Sequence, residues 1–188
     1  MARPLSDEKR TAILAAATRV IAAEGLAAPT AAIAKEAGVS NGSLFTYFET
    51  KADLLNALYI EIKTELAQAS LAGLPAKANT RKQMQHMWTQ RLRWAIGAPD
   101  KRRTLAHLSV SDDITEESRQ AGHRAMAGVA KLMTDARAHG AMRNTPHAFL
   151  VALTNATADA TIEFIVTDPK HADKHIATSF EALWRMIA

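Results

Sequence analysis

Apolar residues recur along this chain at intervals of three and four. No alternating stretch of strand length stands out, so the pattern predicts helices from end to end. The first helix begins after Ser6, a good N-cap, with Asp7 and Glu8 in the first turn where the helix dipole favours negative charge. Ile13, Ala16, Ala17, Val20 and Ile21 form its apolar stripe, and Gly25 stops it. A short second helix starts at Thr30, read as its cap, buries Ile33, Ala34 and Ala37, and ends at Gly38. Ser40 caps a third helix to about Phe48. Thr50 caps a fourth, with Asp53 at the capping-box position and Leu54, Leu55, Leu58, Ile62 and Leu66 inward.

Residues 71–80 contain Gly73, Pro75 and Asn79 and read as the boundary between two domains. Beyond it the pattern predicts helices over about 80–96 and 100–109. A long helix then runs from Thr115 to His139, stopped by Gly140. Another starts at Thr145-Pro146 and ends near Thr167, and a last one covers about 169–187. The expectation is an all-α chain of nine helices. A three-helix domain occupies residues 1–50, a connecting helix 51–70, and a larger helical domain 71–188.

Composition narrows the function. With no cysteine, disulfide frameworks, zinc ribbons and thiolate catalysis are excluded. The longest run without a formal charge is 15 residues, 144–158, against the ~20 a membrane helix needs. The N-terminus lacks the apolar core of a signal peptide. A cytoplasmic protein without a membrane span is expected. The net charge of +4 hints at nucleic acid, yet residues 1–66 carry seven basic and eight acidic side chains. Any claim for DNA must therefore rest on local geometry.

That geometry lies in residues 30–51, TAAIAKEAGVSNGSLFTYFETK. Two short helices joined by Gly38-Val39-Ser40 have the spacing of a helix-turn-helix. Ile33, Val39 and Leu44 can pack as its hinge. Ser40, Asn41, Gly42 and Ser43, small or hydrogen-bonding, open the second helix where it must approach DNA. Phe45, Thr46 and Tyr47 along its outer side can supply a thymine-methyl, a hydroxyl and a phosphate contact. Thr30 stands at the start of the first helix of the pair, and Lys51 offers a cation to the phosphate backbone. These are the candidate DNA-binding residues.

The segment resembles the N-terminal domain of the tetracycline-repressor (TetR) family of transcriptional regulators. Ile33, Ala34, Ala37, Gly38, Val39, Ser40, Gly42, Leu44, Phe45, Phe48, Lys51, Leu54 and Leu55 stand in register with its signature, preceded by Ile13, Ala16, Ala17 and Gly25. Phe45 and Tyr47 replace the family's usual Tyr and frequent His, and Ala31 and Ala32 stand where many members have a basic residue. Fewer charged contacts and a modest salt slope are expected. The resemblance implies a homodimer, DNA binding through the third helix at a pseudo-palindromic operator, and a C-terminal domain that binds a small effector.

In that C-terminal part, Met84, Trp88, Leu92, Met126, Val129 and Asn155 are candidate effector contacts, because Met and Trp suit a cavity for varied apolar ligands. Most of these side chains also serve as core. Leu153, Ala156, Ala160 and Phe164 on the eighth helix, and Phe180 and Leu183 on the ninth, are candidate dimer contacts. His107 reads as a buried imidazole. His171 and His175 share a helical face, but no third ligand is evident in the sequence, so no metal and no cofactor is expected. No nucleophile elbow or acid–base pair is present, so no catalytic residue is assigned. The reading is a ligand-responsive DNA-binding regulator, a repressor released by a small apolar or amphipathic effector. The alternatives are a small helical enzyme and a regulator controlled by a protein partner.

Overall fold

A computed structural model describes residues 6–188. Among them there are ten α-helices, one 3₁₀ turn and no strand. The helices are α1 (Asp7–Glu24), α2 (Thr30–Glu36), α3 (Asn41–Tyr47), α4 (Lys51–Leu71), α5 (Thr80–Gly97), α6 (Pro99–Ser109), α7 (Glu116–Ala125), α8 (Ala127–Arg137), α9 (His147–Thr167) and α10 (Ala172–Ile187). The expected nine become ten because the predicted helix over 115–139 breaks at Met126, whose ψ of 4° leaves the helical region. Two start signals shift by one residue. Pro29, not Thr30, holds the N-cap position of α2, and Pro146 holds that of α9.

The chain divides into two compact units. The first comprises the chain up to Thr64 together with Ala98–Ala125; the second comprises Glu65–Gly97 and Met126–Ala188. The boundary expected near 71–80 is thus not where compactness divides the chain. The turn-rich segment after α4 lies within the second unit, and α6 and α7 belong with the first. The passage between units falls inside α4, after α5 and at the α7–α8 break.

In the first unit α1 packs against α2 and α6. Ile13, Leu14, Ala16, Ala17 and Ile21 of α1 are fully buried, as the stripe requires. The buried Thr104 hydroxyl of α6 donates to the Thr18 carbonyl at 2.9 Å, satisfying a polar group inside the core. Asn56 on α4 ties down the start of α7: its amide donates to the Asp113 carbonyl at 2.8 Å and its oxygen accepts the Thr115 N–H at 2.9 Å. Thr115 caps α7 through the Ser118 N–H. Arg119 then donates to the Ser109 and Ser111 carbonyls at the end of α6. Burial raises the Tyr59 phenol's pKa, opposed by the Arg119 charge.

The second unit is a helical assembly in which α5 packs against α8, α9 and α10, and α9 against α10. Its core holds Met84, Met87, Trp88 and Leu92 from α5, with Val129, Leu132 and Met133 from α8. It also holds Leu150, Ile162 and Ile165 from α9, and Ile176, Phe180, Leu183 and Ile187 from α10. Trp88 is fully buried and its indole N–H donates to Ser179 at 3.0 Å, which solves the polar requirement of a buried Trp. By length and composition α9 is apolar enough to cross a membrane. Leu150, Thr154, Ala158, Thr161, Ile162 and Ile165 are buried within the unit, while Phe149, Phe164 and Val166 are exposed.

Gly122 of α7 lies against the Tyr59 ring of α4. A Cβ there would lie 2.8 Å from the Tyr59 ring, and that ring is only 3% exposed and has little room to move. Gly122→Ala therefore overpacks the site by ~1–3 kcal/mol, offset by ~1 kcal/mol of helix propensity. A net loss of about 1 kcal/mol is expected in urea unfolding.

Candidate nucleic-acid interface

The turn between α2 and α3 is built on Gly38, whose φ of 68° a side chain would strain. Its N–H bonds the Lys35 carbonyl, and the Val39 N–H reaches the Ala34 carbonyl at 3.0 Å. Ser40 then caps α3: its hydroxyl accepts the Ser43 N–H at 3.1 Å. At the far end Thr50 and Asp53 form the expected reciprocal cap of α4. The Thr50 N–H reaches Asp53 Oδ2 at 2.9 Å, and the Asp53 N–H returns to the Thr50 hydroxyl at 3.1 Å.

This framing sets which sides of α3 face inward. Leu44 is fully buried and Phe48, just past the helix, is 5% exposed. Asn41, Gly42, Phe45 and Thr46 are exposed, Phe45 at 39%, and Ser43 is half-buried. The Thr46 hydroxyl donates to the Gly42 carbonyl at 3.1 Å, and its oxygen keeps the capacity to accept. Thr30, at the start of α2, is half-buried.

Two candidates have roles the sequence does not disclose. The Tyr47 hydroxyl accepts the Ser6 N–H at 3.2 Å, tying the start of α1 to the end of α3. Because the oxygen accepts there, its proton remains available to a phosphate. Lys51 also has a role inside the fold. Its ammonium donates to the Leu26 and Ala28 carbonyls at 2.6 and 2.7 Å and is partly buried. It holds the α1–α2 loop to the start of α4, with two of its three donors engaged within the fold. The partners lie 25 and 23 residues upstream, and no local pattern could reveal them. Nearby, Arg19 pairs with Glu36 at 2.6 Å. Arg10 stands over the Phe48 ring at 5.5 Å.

The candidate effector residues lie in the second unit, apart from those of α3. Met84, Trp88, Leu92 and Val129 are buried together, Met126 is half-buried at the α7–α8 break, and Asn155 is exposed. The Asn155 oxygen accepts from the half-buried Arg91 guanidinium at 2.7 Å. Burial lowers the pKa of Arg91, and Asp159 opposes this. Among the candidate dimer residues, Ala156, Ala160 and Phe164 are exposed and Leu153 is half-buried. Phe180 and Leu183 are each 1% exposed and belong to the unit's own core, so they offer no surface to a second chain. The α10 stripe that reads as surplus is consumed by packing on α5 and α9. His107, expected to be buried, is exposed.

An exposed α3 braced on a helix-turn-helix turn is the arrangement that a DNA-reading helix requires. Residues 13–58 match the family of bacterial regulatory proteins called the tetR family. Over its whole length the chain is similar in structure to a protein from Shewanella sp. PV-4 described as a tetR family transcription regulator. The two are 28% identical over 94% of this chain and 96% of that one, with a TM-score of 0.82. A TetR family transcription regulator from Marinobacter aquaeolei VT8 is 23% identical over 95% and 94%, with a TM-score of 0.84. The transcriptional regulator FadR from Bacillus subtilis, in complex with stearoyl-CoA, is 20% identical over 95% and 97%, with a TM-score of 0.68. The chain thus has the fold of tetR family transcription regulators, and residues 13–58 match that family's N-terminal segment.

Lys51→Ala should cost about 2 kcal/mol, the loss of charge-assisted bonds to two carbonyls. It should leave the salt slope of DNA binding unchanged. Thermal unfolding and binding titrations across salt concentrations check both halves.

Proposed function

We propose that the protein is a repressor that binds a pseudo-palindromic duplex as a homodimer and leaves it when a small amphipathic effector binds the second unit. The observation that carries the DNA half is the outward side of α3, where Asn41, Gly42, Phe45 and Thr46 are exposed while Leu44 and Phe48 anchor the helix. Phe45 and Thr46 would read base edges, the first through a thymine methyl and the second through its hydroxyl. Ser40, Asn41, Ser43, Tyr47 and Thr30 would position the helix on phosphates.

Dimerisation is supported by α9. Phe149, Leu153, Ala156, Ala160 and Phe164 follow one another at helical spacing on the side opposite its buried stripe. Phe149 and Phe164 are 55% and 59% exposed. An exposed apolar stripe with central Ala residues suits close pairing of two α9 helices. The two heads would then meet half-sites about 34–36 Å apart.

The effector reading rests on the Met and Trp side chains around α5 and on the polar group at their edge. Flexible Met84, Met87 and Met133 can repack around an apolar body, and Arg91 with Asn155 can take a polar or anionic head. The complex of FadR with stearoyl-CoA supports a ligand with a long apolar part and a charged end. An effector that favours one arrangement of the second unit shifts the population of DNA-competent dimers. By linkage, DNA must weaken its binding by the same factor.

Three outcomes follow. Selection from random duplexes at low salt should enrich an inverted repeat, and Thr46→Ala should change the preferred base at one position of each half-site. A selection that enriches nothing rejects the DNA reading. Ala156→Glu should convert dimers to monomers in sedimentation. Long-chain acyl thioesters should stabilise the fold by about 2.7 kcal/mol at a hundredfold excess over Kd, and Trp88→Phe should shift the preferred chain length without altering DNA affinity.

A further inference from the structure

The corner between α9 and α10 carries chemistry that DNA reading does not use. Asp168 ends α9, Pro169–His171 form the 3₁₀ turn, and His175 lies in the first turn of α10. This path folds eight residues back so that three side chains meet. His171 Nδ1 lies 2.8 and 3.0 Å from the two oxygens of Asp168. His175 Nε2 lies 2.8 Å from Oδ2 of the same carboxylate. The three donor atoms are all within 4.8 Å of one another. The sequence shows the His171–His175 pair but not its third member, because Asp168 reaches it only through the 3₁₀ turn.

We propose that Asp168, His171 and His175 form a site for one divalent transition-metal ion of the zinc type. Two imidazole nitrogens and one carboxylate oxygen are the donors that zinc, cobalt and nickel prefer, whereas magnesium and calcium favour all-oxygen sets. At metal–ligand distances of ~2.0–2.1 Å, tetrahedral donors stand roughly 3.4 Å apart. The two His–Asp separations therefore have to open by about half an ångström, within reach of small side-chain rotations at the surface. Three protein ligands leave a fourth position for water or an exogenous ligand. The edge of Phe164 meets the His175 ring at 4.9 Å and 83°, which limits that ring's rotation. His171 is 62% exposed and leaves an entry path.

Without metal, the Asp168 carboxylate accepts hydrogen bonds from both imidazoles, and these hold its pKa below the usual carboxylate range. That arrangement gathers the donors before an ion arrives. A bound ion would replace the bridging proton contacts and fasten the end of α9 to the start of α10. Ile176 and Phe180 in the next turns of α10 are already fixed in the core. Occupancy should thus raise the stability of the second unit.

The test uses the full-length chain without an affinity tag. Cobalt(II) serves as the optical probe, and zinc competes for the same site. The expected result is one cobalt ion per chain with the visible absorption of a low-coordinate N/O site, displaced by zinc, and a higher melting temperature with zinc. His171→Gln, His175→Gln and Asp168→Asn should each weaken binding by at least about tenfold, the lower end of what even supporting residues of metal sites cost. His147→Gln, on α9 away from the cluster, should leave binding unchanged. Because His171 is exposed, its variant keeps the test decisive if the other two fold poorly. No cobalt binding at millimolar ion, or binding that His171→Gln leaves intact, overturns the proposal.

Discussion

A seven-residue helix has too few internal hydrogen bonds to stand alone in water, and α3 is seven residues long. The contacts around α3 answer that constraint. Leu44 and Phe48 bury the inner side, Ser40 caps the start, and the Tyr47 hydroxyl joins its end to the beginning of α1. The Lys51 ammonium holds the loop that leads into α2. The exposed face of α3 takes no part in the packing that holds the helix.

The division into units follows from where the helical path is interrupted. The break at Met126 separates an α7 fastened through Thr115, Asn56 and Arg119 from an α8 that buries Val129, Leu132 and Met133. One continuous helix over 115–139 would have to serve both packings with a single set of faces. The helix α4 contributes to both units without a break.

What the sequence discloses depends on the range of the interaction. The α1 stripe, the α2–α3 turn, the Thr50–Asp53 cap and the ends of α5 and α9 are short-range features, and they are legible. Lys51 reads as a surface cation because its partners are more than twenty residues away. Phe180 and Leu183 read as surplus apolar surface because a single chain's periodicity cannot show how many neighbours α10 has. Asp168 escapes notice beside His171 and His175 because a 3₁₀ turn, not a continuous helix, sets their spacing. Met126 carries no local signal of a break: neither Gly nor Pro stands there.

The central claim is that the outward side of α3 is what meets DNA. Amide hydrogen exchange on the complex with a selected duplex tests this directly. The account predicts slowed exchange concentrated in residues 40–47, with α9 and α10 unaffected by the duplex. Tight duplex binding with unchanged exchange across residues 40–47 would contradict it.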